Sequence, residues 1–256
     1  MKIIVAIKQV PERDARIRID SAGKWIDLND VEFTMNESDA YALEEALQLK
    51  EAHGGEVVVL SAGPERVGKT IREALAKGAD RAIHIASEAE DELAAYDALG
   101  VAQLLAAAVK DEQPDLIFTG LQSDDLGLGQ TGVILAELLG LPHATLILKI
   151  EKTGTGIKVL RELEDGWFQH LELPTPAVLT IQSGNSKLRY ATLMGIKKAK
   201  SKETRELAAA AAGERVDEVV KVALPERVKR TEMLTGSADE VATKIVEKLK
   251  FEVKVL

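Results

Sequence analysis

Cysteine is absent from this 256-residue chain. That excludes a disulfide, a thiolate-held metal or iron–sulfur centre, and thiol catalysis. Aromatic residues make up only 4% of the chain, so the core must be built from Ala, Leu, Val and Ile. The four histidines, His53, His84, His143 and His170, are scattered without metal-ligand spacing, so no metal site is expected. No apolar run reaches the roughly 20 residues of a membrane span. The opening MKIIVAIKQVPERD carries too short an apolar run for a signal peptide. A cytoplasmic protein without membrane insertion is therefore expected. An excess of positive charge is also lacking: 33 Lys and Arg face 42 Asp and Glu, a formal net charge of −9. This argues against nucleic acid or an anionic membrane as a partner. Basic residues do gather at 197–202 and 227–230, where local anion contacts can form.

What is present points to an α/β protein. The hydrophobic content of 46% is globular. Residues 3–10 read as a buried first strand ending at Pro11. Residues 35–53 read as a helix, with Asn36 or Ser38 as cap and the Gly54-Gly55 pair as its end. Strands follow at 56–61, 81–85 and 115–119, and helices at 67–77, 97–110 and 132–139. Alternation of this kind implies a mostly parallel sheet with helices on both faces. Beyond about Thr145 consecutive strands take over, an antiparallel extension at 159–164 and 168–173 with a turn at Glu164-Asp165-Gly166. Residues 177–182 (AVLTIQ) suit a buried strand. Residues 201–232 have little to bury and read as a solvated extension, and 237–249 as an amphipathic helix capped by Ser237 or Asp239. The organisation expected is an α/β domain over 1–200, then an arm and C-terminal helix over 201–256.

Two segments match phosphate-binding patterns. Gly63 to Thr70 fits G-x-x-x-x-G-K-[ST] letter for letter, after a strand and at the start of a helix. Against a P-loop, Pro64 removes an amide from the loop and Glu65 adds a negative charge to it. No apolar strand ending in a magnesium-holding Asp is evident either. A stand-alone nucleotide-binding protein or NTPase is the alternative this match carries. The second pattern is Gly127 to Gly132, which fits G-x-G-x-x-G, but six residues (LQSDDL) separate it from Gly120 where a fingerprint would follow its strand directly. Its glycines and the helix start behind them still suit an anion.

The stretch 159–200, VLRELEDGWFQHLELPTPAVLTIQSGNSKLRYATLMGIKKAK, carries a recognisable set of motifs. A basic residue (Arg161) is followed by the Glu164-Asp165-Gly166 turn, then Gln169, Leu171, and Pro176 before Val178-Leu179-Thr180. With KIIVAIKQVP at the start and MNESDAYALEEALQLKE after it, this resembles the β subunit of electron-transfer flavoproteins, over nearly the whole chain. The resemblance implies the fold of adenine-nucleotide α-hydrolases, a three-layer sandwich. It implies one AMP at the C-terminal edge of the sheet, on Ala6, on Asn36, Glu37, Ser38 and Asp39, and on Ala62. The same site would include Gly120, Leu121, Gln122, Ser123, Asp124, Asp125, Leu126, Gly127, Leu128, Gly129, Gln130 and Thr131. From the residues alone, plain core packing explains Ala6 and Ala62 equally well, and Asp124 and Asp125 can be solvated loop charges.

The resemblance further implies an α subunit that holds most of one FAD, with the 10–15 loop of this chain as a wall over the flavin. Several relatives have an aromatic residue near position 13; this chain has Arg13 there. Residues 189–200 are similar to the segment that docks on flavin dehydrogenases such as acyl-CoA dehydrogenases, with Leu193 as the anchor beside Tyr190, Met194 and Ile196. A downstream quinone-linked oxidoreductase would be the acceptor, and the terminal helix would dock on the α subunit. No nucleophile–base pair or carboxylate dyad is visible, so no catalytic residue is expected, in keeping with an electron carrier. Some members bifurcate electrons and hold a second FAD in place of AMP; QSDDLGLGQTG lacks the Gly-Asp-Thr-Ala run associated with them, which favours AMP.

Overall fold

A computed structural model describes residues 1–87, 96–183, 186–209, 216–225 and 231–255. The basic cluster at 227–230 lies outside the described residues, as does most of the alanine run before Gly213.

The central strands are β1 (Lys2–Ala6), β4 (Glu56–Gly63), β5 (Arg81–Ala86) and β6 (Leu116–Gly120). They are short runs of Ile, Val and Leu, and Ile3, Ile4, Val58, Val59, Leu116 and Ile117 are fully buried. Strands buried on both faces are what a parallel sheet between helical layers requires. Packed on one face are α1 (Glu37–His53) and α2 (Gly68–Lys77), against Ile3, Val5, Val57, Val59 and Phe118. On the other face α3 (Ala98–Val109) and α4 (Thr131–Leu139) cover Ile4, Val58, Leu60, Ile83 and Ile117. Gly140 ends α4 in the left-handed conformation, at φ 63°, which a glycine adopts without steric cost.

The chain then runs through β7 (His143–Lys152), β8 (Gly156–Glu162) and β9 (Phe168–Pro174) and returns as β10 (Ala177–Ile181). With β11 (Thr204–Ala208) at one edge, the nine strands lie in the order β11-β5-β4-β1-β6-β10-β7-β8-β9, parallel from β11 to β7 and antiparallel through β8 and β9. The mostly parallel three-layer sandwich with an antiparallel extension is as the sequence implies. At the extension's tip Asp165 and Gly166 both take positive φ, 56° and 76°.

Several expectations need correction. Residues 3–10 are not one strand: β1 ends at Ala6, and β2 (Gln9–Pro11) pairs antiparallel with β3 (Phe33–Met35) in a separate ribbon. Met35 accordingly belongs to β3, and α1 starts at Glu37. The solvated reading of 201–232 fails at β11 (Thr204–Ala208), which pairs in parallel with β5 along one sheet edge. Its alternating burial is that of an edge strand. The terminal helix α6 (Ala238–Glu247) carries a capping box between Ser237 and Glu240 and continues into a π-helical turn over Lys248–Val253. None of the residues of α6 is buried.

A charge cluster closes the N-terminal edge of the sheet. Glu112, 7% exposed, pairs with Arg81 at 2.6 Å, Arg205 at 3.0 Å and Lys2 at 3.4 Å. Hydrogen bonds from Arg81 hold its carboxyl below the ordinary range, outweighing its burial. Replacing Glu112 with Gln removes a carboxylate shared by all three cations, although Glu56 still pairs with Arg81 at 2.8 Å, and is expected to cost about 2 kcal/mol, read by urea unfolding at pH 7. The depressed carboxyl contributes its stability above pH 4.5 and loses it as the pH falls, so the Gln variant should show a shallower acid limb.

Candidate functional site

Strands β1, β4 and β6 all end at the same edge of the sheet, where open parallel α/β sheets place their ligands. There a cavity of about 500 Å³ opens between the strand ends, the start of α1 and the start of α4. Ala6, Ala62 and Gly120 lie in its wall.

Asp39 holds this edge together. Its Oδ2 accepts the Lys8 N–H at 2.7 Å and its Oδ1 accepts the Gly120 N–H at 2.8 Å. One carboxylate from the first turn of α1 thus ties the ends of β1 and β6. It is also why β1 stops where it does, since the Lys8 amide is drawn to Asp39. Burial pushes the Asp39 carboxyl up to about 7, against the pull of the Lys8, Asn36 and Gly120 donors. Gly120 packs so closely on Ser38 and Asp39 that a Cβ would collide with both.

Asn36 occupies the N-cap position of α1, but its side chain makes no cap bond. Instead its amide donates to the Gln122 carbonyl at 2.9 Å, and its Oδ1 accepts the Asp124 N–H at 2.9 Å. The Ser38 hydroxyl donates to the same Gln122 carbonyl at 2.7 Å, and the Glu37 N–H donates to Asp124 at 3.2 Å. Lys8 pairs with Asp125 at 2.7 Å. These bonds sew the 120–125 loop onto the start of α1.

The expected residues divide into wall and brace. Lining the cavity are Ala6, Asn36, Asp39, Ala62, Gly120, Leu121, Gln122, Ser123, Asp125, Leu126, Leu128, Gly129, Gln130 and Thr131. Glu37, Ser38, Asp124 and Gly127 are not in the lining; the first three act as braces behind it. Arg13 is outside the lining as well, largely exposed and paired with Glu37 at 2.6 Å. Sequence reasoning missed Lys8, Gln9, Arg66, the apolar side Trp25, Ile26, Leu28 and Phe33, and a third side at Tyr96, Asp97 and 217–219. One signal was available, a Trp set in a polar segment. Arg66 stacks over the Phe33 ring at 3.9 Å.

The fit to a nucleotide rests on features of this cavity. Its lining is mostly apolar beside a few fixed polar groups, as small-molecule sites are. Gly129 takes φ +64° beside the start of α4, where Gln130 makes no side-chain cap and leaves first-turn amides for an anion. Behind that helix start and outside the cavity lining, Thr180 is 1% exposed and has no hydrogen-bond partner for its hydroxyl among the described residues.

The Gly63 to Thr70 match does not form a phosphate cradle. After β4 the chain enters a 3-10 turn at Glu65–Val67. Lys69 is exposed and outside the cavity lining, and the Thr70 hydroxyl accepts the Gln9 amide at 2.9 Å, buried. The two side chains a P-loop needs on phosphate and magnesium are turned to water and to the core.

The segment expected to dock a partner is separate. It is a short helix rather than an irregular loop: α5 (Leu193–Ala199), capped by Thr192, whose hydroxyl accepts the Gly195 N–H at 3.0 Å. Packed on α2, it leaves Tyr190 89%, Leu193 88%, Met194 65% and Ile196 47% exposed. Arg189 anchors its approach by pairing with Glu44 at 2.8 Å and Glu51 at 2.6 Å on α1. Burial pushes the Glu44 carboxyl up, but hydrogen bonds from Arg189 and Gln48 outweigh it and hold the group below the ordinary range. At the far side Lys202 donates to the Leu75 and Ala79 carbonyls at the end of α2.

Among the described residues no group of His, Asp and Glu is arranged to hold a metal ion, and no helix is long and apolar enough to cross a membrane. A family model described as the electron transfer flavoprotein domain matches residues 24–226. The electron transfer flavoprotein subunit beta of Methylophilus methylotrophus is 38% identical over 260 residues, covering 96% of this chain and 97% of that protein. That of Bradyrhizobium diazoefficiens is 38% identical with both chains fully covered. The mitochondrial subunit beta of Arabidopsis thaliana is 35% identical, again with full coverage of both.

Proposed function

Because the chain belongs to the electron transfer flavoprotein β-subunit family, we propose that it binds AMP at the strand-end cavity while an α subunit holds most of one FAD. The complex of the two carries electrons from flavin dehydrogenases, acyl-CoA dehydrogenases among them, to a quinone-linked acceptor. The observation that carries the AMP assignment is the Asp39 clamp, which joins the ends of β1 and β6 at the cavity and holds Gly120, where the 120–131 loop begins, against α1.

AMP supplies no redox chemistry; bound, it is a structural ligand. Gly129, Gln130 and Thr131 would hold its phosphate, and the small Ala6 and Ala62 leave room beside the base. The 10–15 loop supplies the wall over the flavin. Arg13 brings a cation there whose charge is partly offset by Glu37. Leu193, with Tyr190, Met194 and Ile196, is the contact for the dehydrogenase, and their exposure supports this. The C-terminal end of the arm docks on the α subunit, supported by the exposed Ile245, Val246, Phe251 and Val253 there.

Co-expression with the α subunit, denaturation of the purified complex and mass analysis of the released nucleotides tests the assignment. One FAD and one AMP per complex is the expected result. Two FAD and no AMP would make the protein a bifurcating member, and ADP or ATP alone would return it to nucleotide sensing.

A further inference from the structure

The cavity has a side that the strand ends do not supply. Asp217, Glu218 and Val219 line it, although they lie far along the chain from the other lining residues. Asp97 connects this segment to the domain. Its Oδ1 accepts the Gly100 N–H at 2.8 Å, the capping bond of α3. Its Oδ2 accepts the Val216 N–H at 2.7 Å and the Asp217 N–H at 3.2 Å. Further along, Glu218 pairs with Lys24 at 2.8 Å and the Val222 N–H donates to the Gly23 carbonyl at 2.9 Å. Gly23 and Lys24 directly precede Trp25 and Ile26 in the cavity wall. Residues 216–222 therefore span from the start of α3 to the 23–28 loop, along the cavity.

We propose that residues 216–222 are a strap that retains the nucleotide, and that Asp97 is the positioning residue that latches it. The proposal rests on the reading of the cavity as an adenine-nucleotide site. Apolar burial contributes little to holding the strap: Val216 is 73% and Val220 81% exposed, and Val219 and Val222 are only partly buried. Polar ties hold it, and of the side chains that make them Asp97 is the buried one, 8% exposed. A segment held this way opens locally at a small fraction of the global unfolding free energy. A nucleotide touching residues 217–219 leaves only when the strap opens, and in turn biases it closed. The coupling is reciprocal by linkage. The strap also leads into the C-terminal arm, so nucleotide occupancy biases the arm as well.

Asp97→Asn separates latch from cap. Asparagine is a good N-cap and keeps one acceptor for Gly100, but its amide cannot also accept the Val216 and Asp217 N–H groups. Val216→Pro removes the latched N–H from the other partner and leaves the α3 cap untouched. Val220→Ala is the control. In the αβ complex loaded with radiolabelled AMP and chased with unlabelled AMP, both latch variants are expected to release label at least tenfold faster than wild type, with unchanged flavin absorbance and melting temperature. AMP should slow tryptic cleavage after Lys221 in wild type and not in either variant. Equal release rates in wild type and both variants would overturn the latch. If the wild-type complex holds no AMP, the site reading fails first. Lys221 cleavage without nucleotide still tests the latch, which is overturned if Asp97→Asn is cut no faster than wild type.

Discussion

Replacing Asp39 with alanine is expected to destabilise the αβ complex by about 4 kcal/mol, since each buried donor left unsatisfied costs about 1–3 kcal/mol. The two donors are the amides of Lys8 and Gly120, and both face Asp39 oxygens within 2.8 Å. AMP should be lost from the purified complex, because the 120–131 loop loses the clamp that sets its start. Urea unfolding and nucleotide content read the two effects separately. A variant that unfolds like wild type and still carries AMP would remove the clamp from the site's logic.

Asparagine at 39 is expected to do less harm and to reveal a pH effect. The folded protein keeps Asp39 protonated up to about pH 7, whereas the unfolded chain releases that proton near 3.8. The contribution is therefore full below the lower value and is lost as the pH rises through the upper one. The Asn variant cannot titrate, so its stability should be flatter between about pH 4 and pH 7.

Leu193→Ala is expected to lower kcat/KM with a flavin dehydrogenase about 30-fold, the effect of losing a hot-spot contact of about 2 kcal/mol. The melting temperature should stay within a degree of wild type, since Leu193 is 88% exposed. Steady-state assays with the dehydrogenase as enzyme and the αβ complex as acceptor measure it. An unchanged kcat/KM would move the docking site elsewhere.

The sheet was legible in the sequence because strands buried on both faces leave runs such as IIV, VVVL and LIF. Helix ends were legible from their glycines. The 120–131 loop could be read because its glycines and its place after a strand are local properties. What escaped depends on distance along the chain. Residues 3–10 read as one strand because the apolar run does not break where the ladder does. The break comes from Asp39, 31 positions beyond Lys8. The strand β11 has only one covered face and therefore little apolar signal. Arg189 read as one basic residue among several, because its partner Glu44 lies 145 positions away. The third side of the cavity joins the 23–28 loop to the arm across 194 positions, between Lys24 and Glu218.

The pairing of Arg189 with Glu44 and Glu51 bears on how the proposed docking segment could be transplanted. Residues 189–200 do not form a portable cassette. A chimera that imports a relative's segment, in order to accept that relative's dehydrogenase, keeps its orientation only if residue 189 remains an arginine or the two glutamates on α1 travel with it. Recipient chains that lack an acidic residue at the position of Glu44 would present the graft at the wrong angle, however faithful the copied surface.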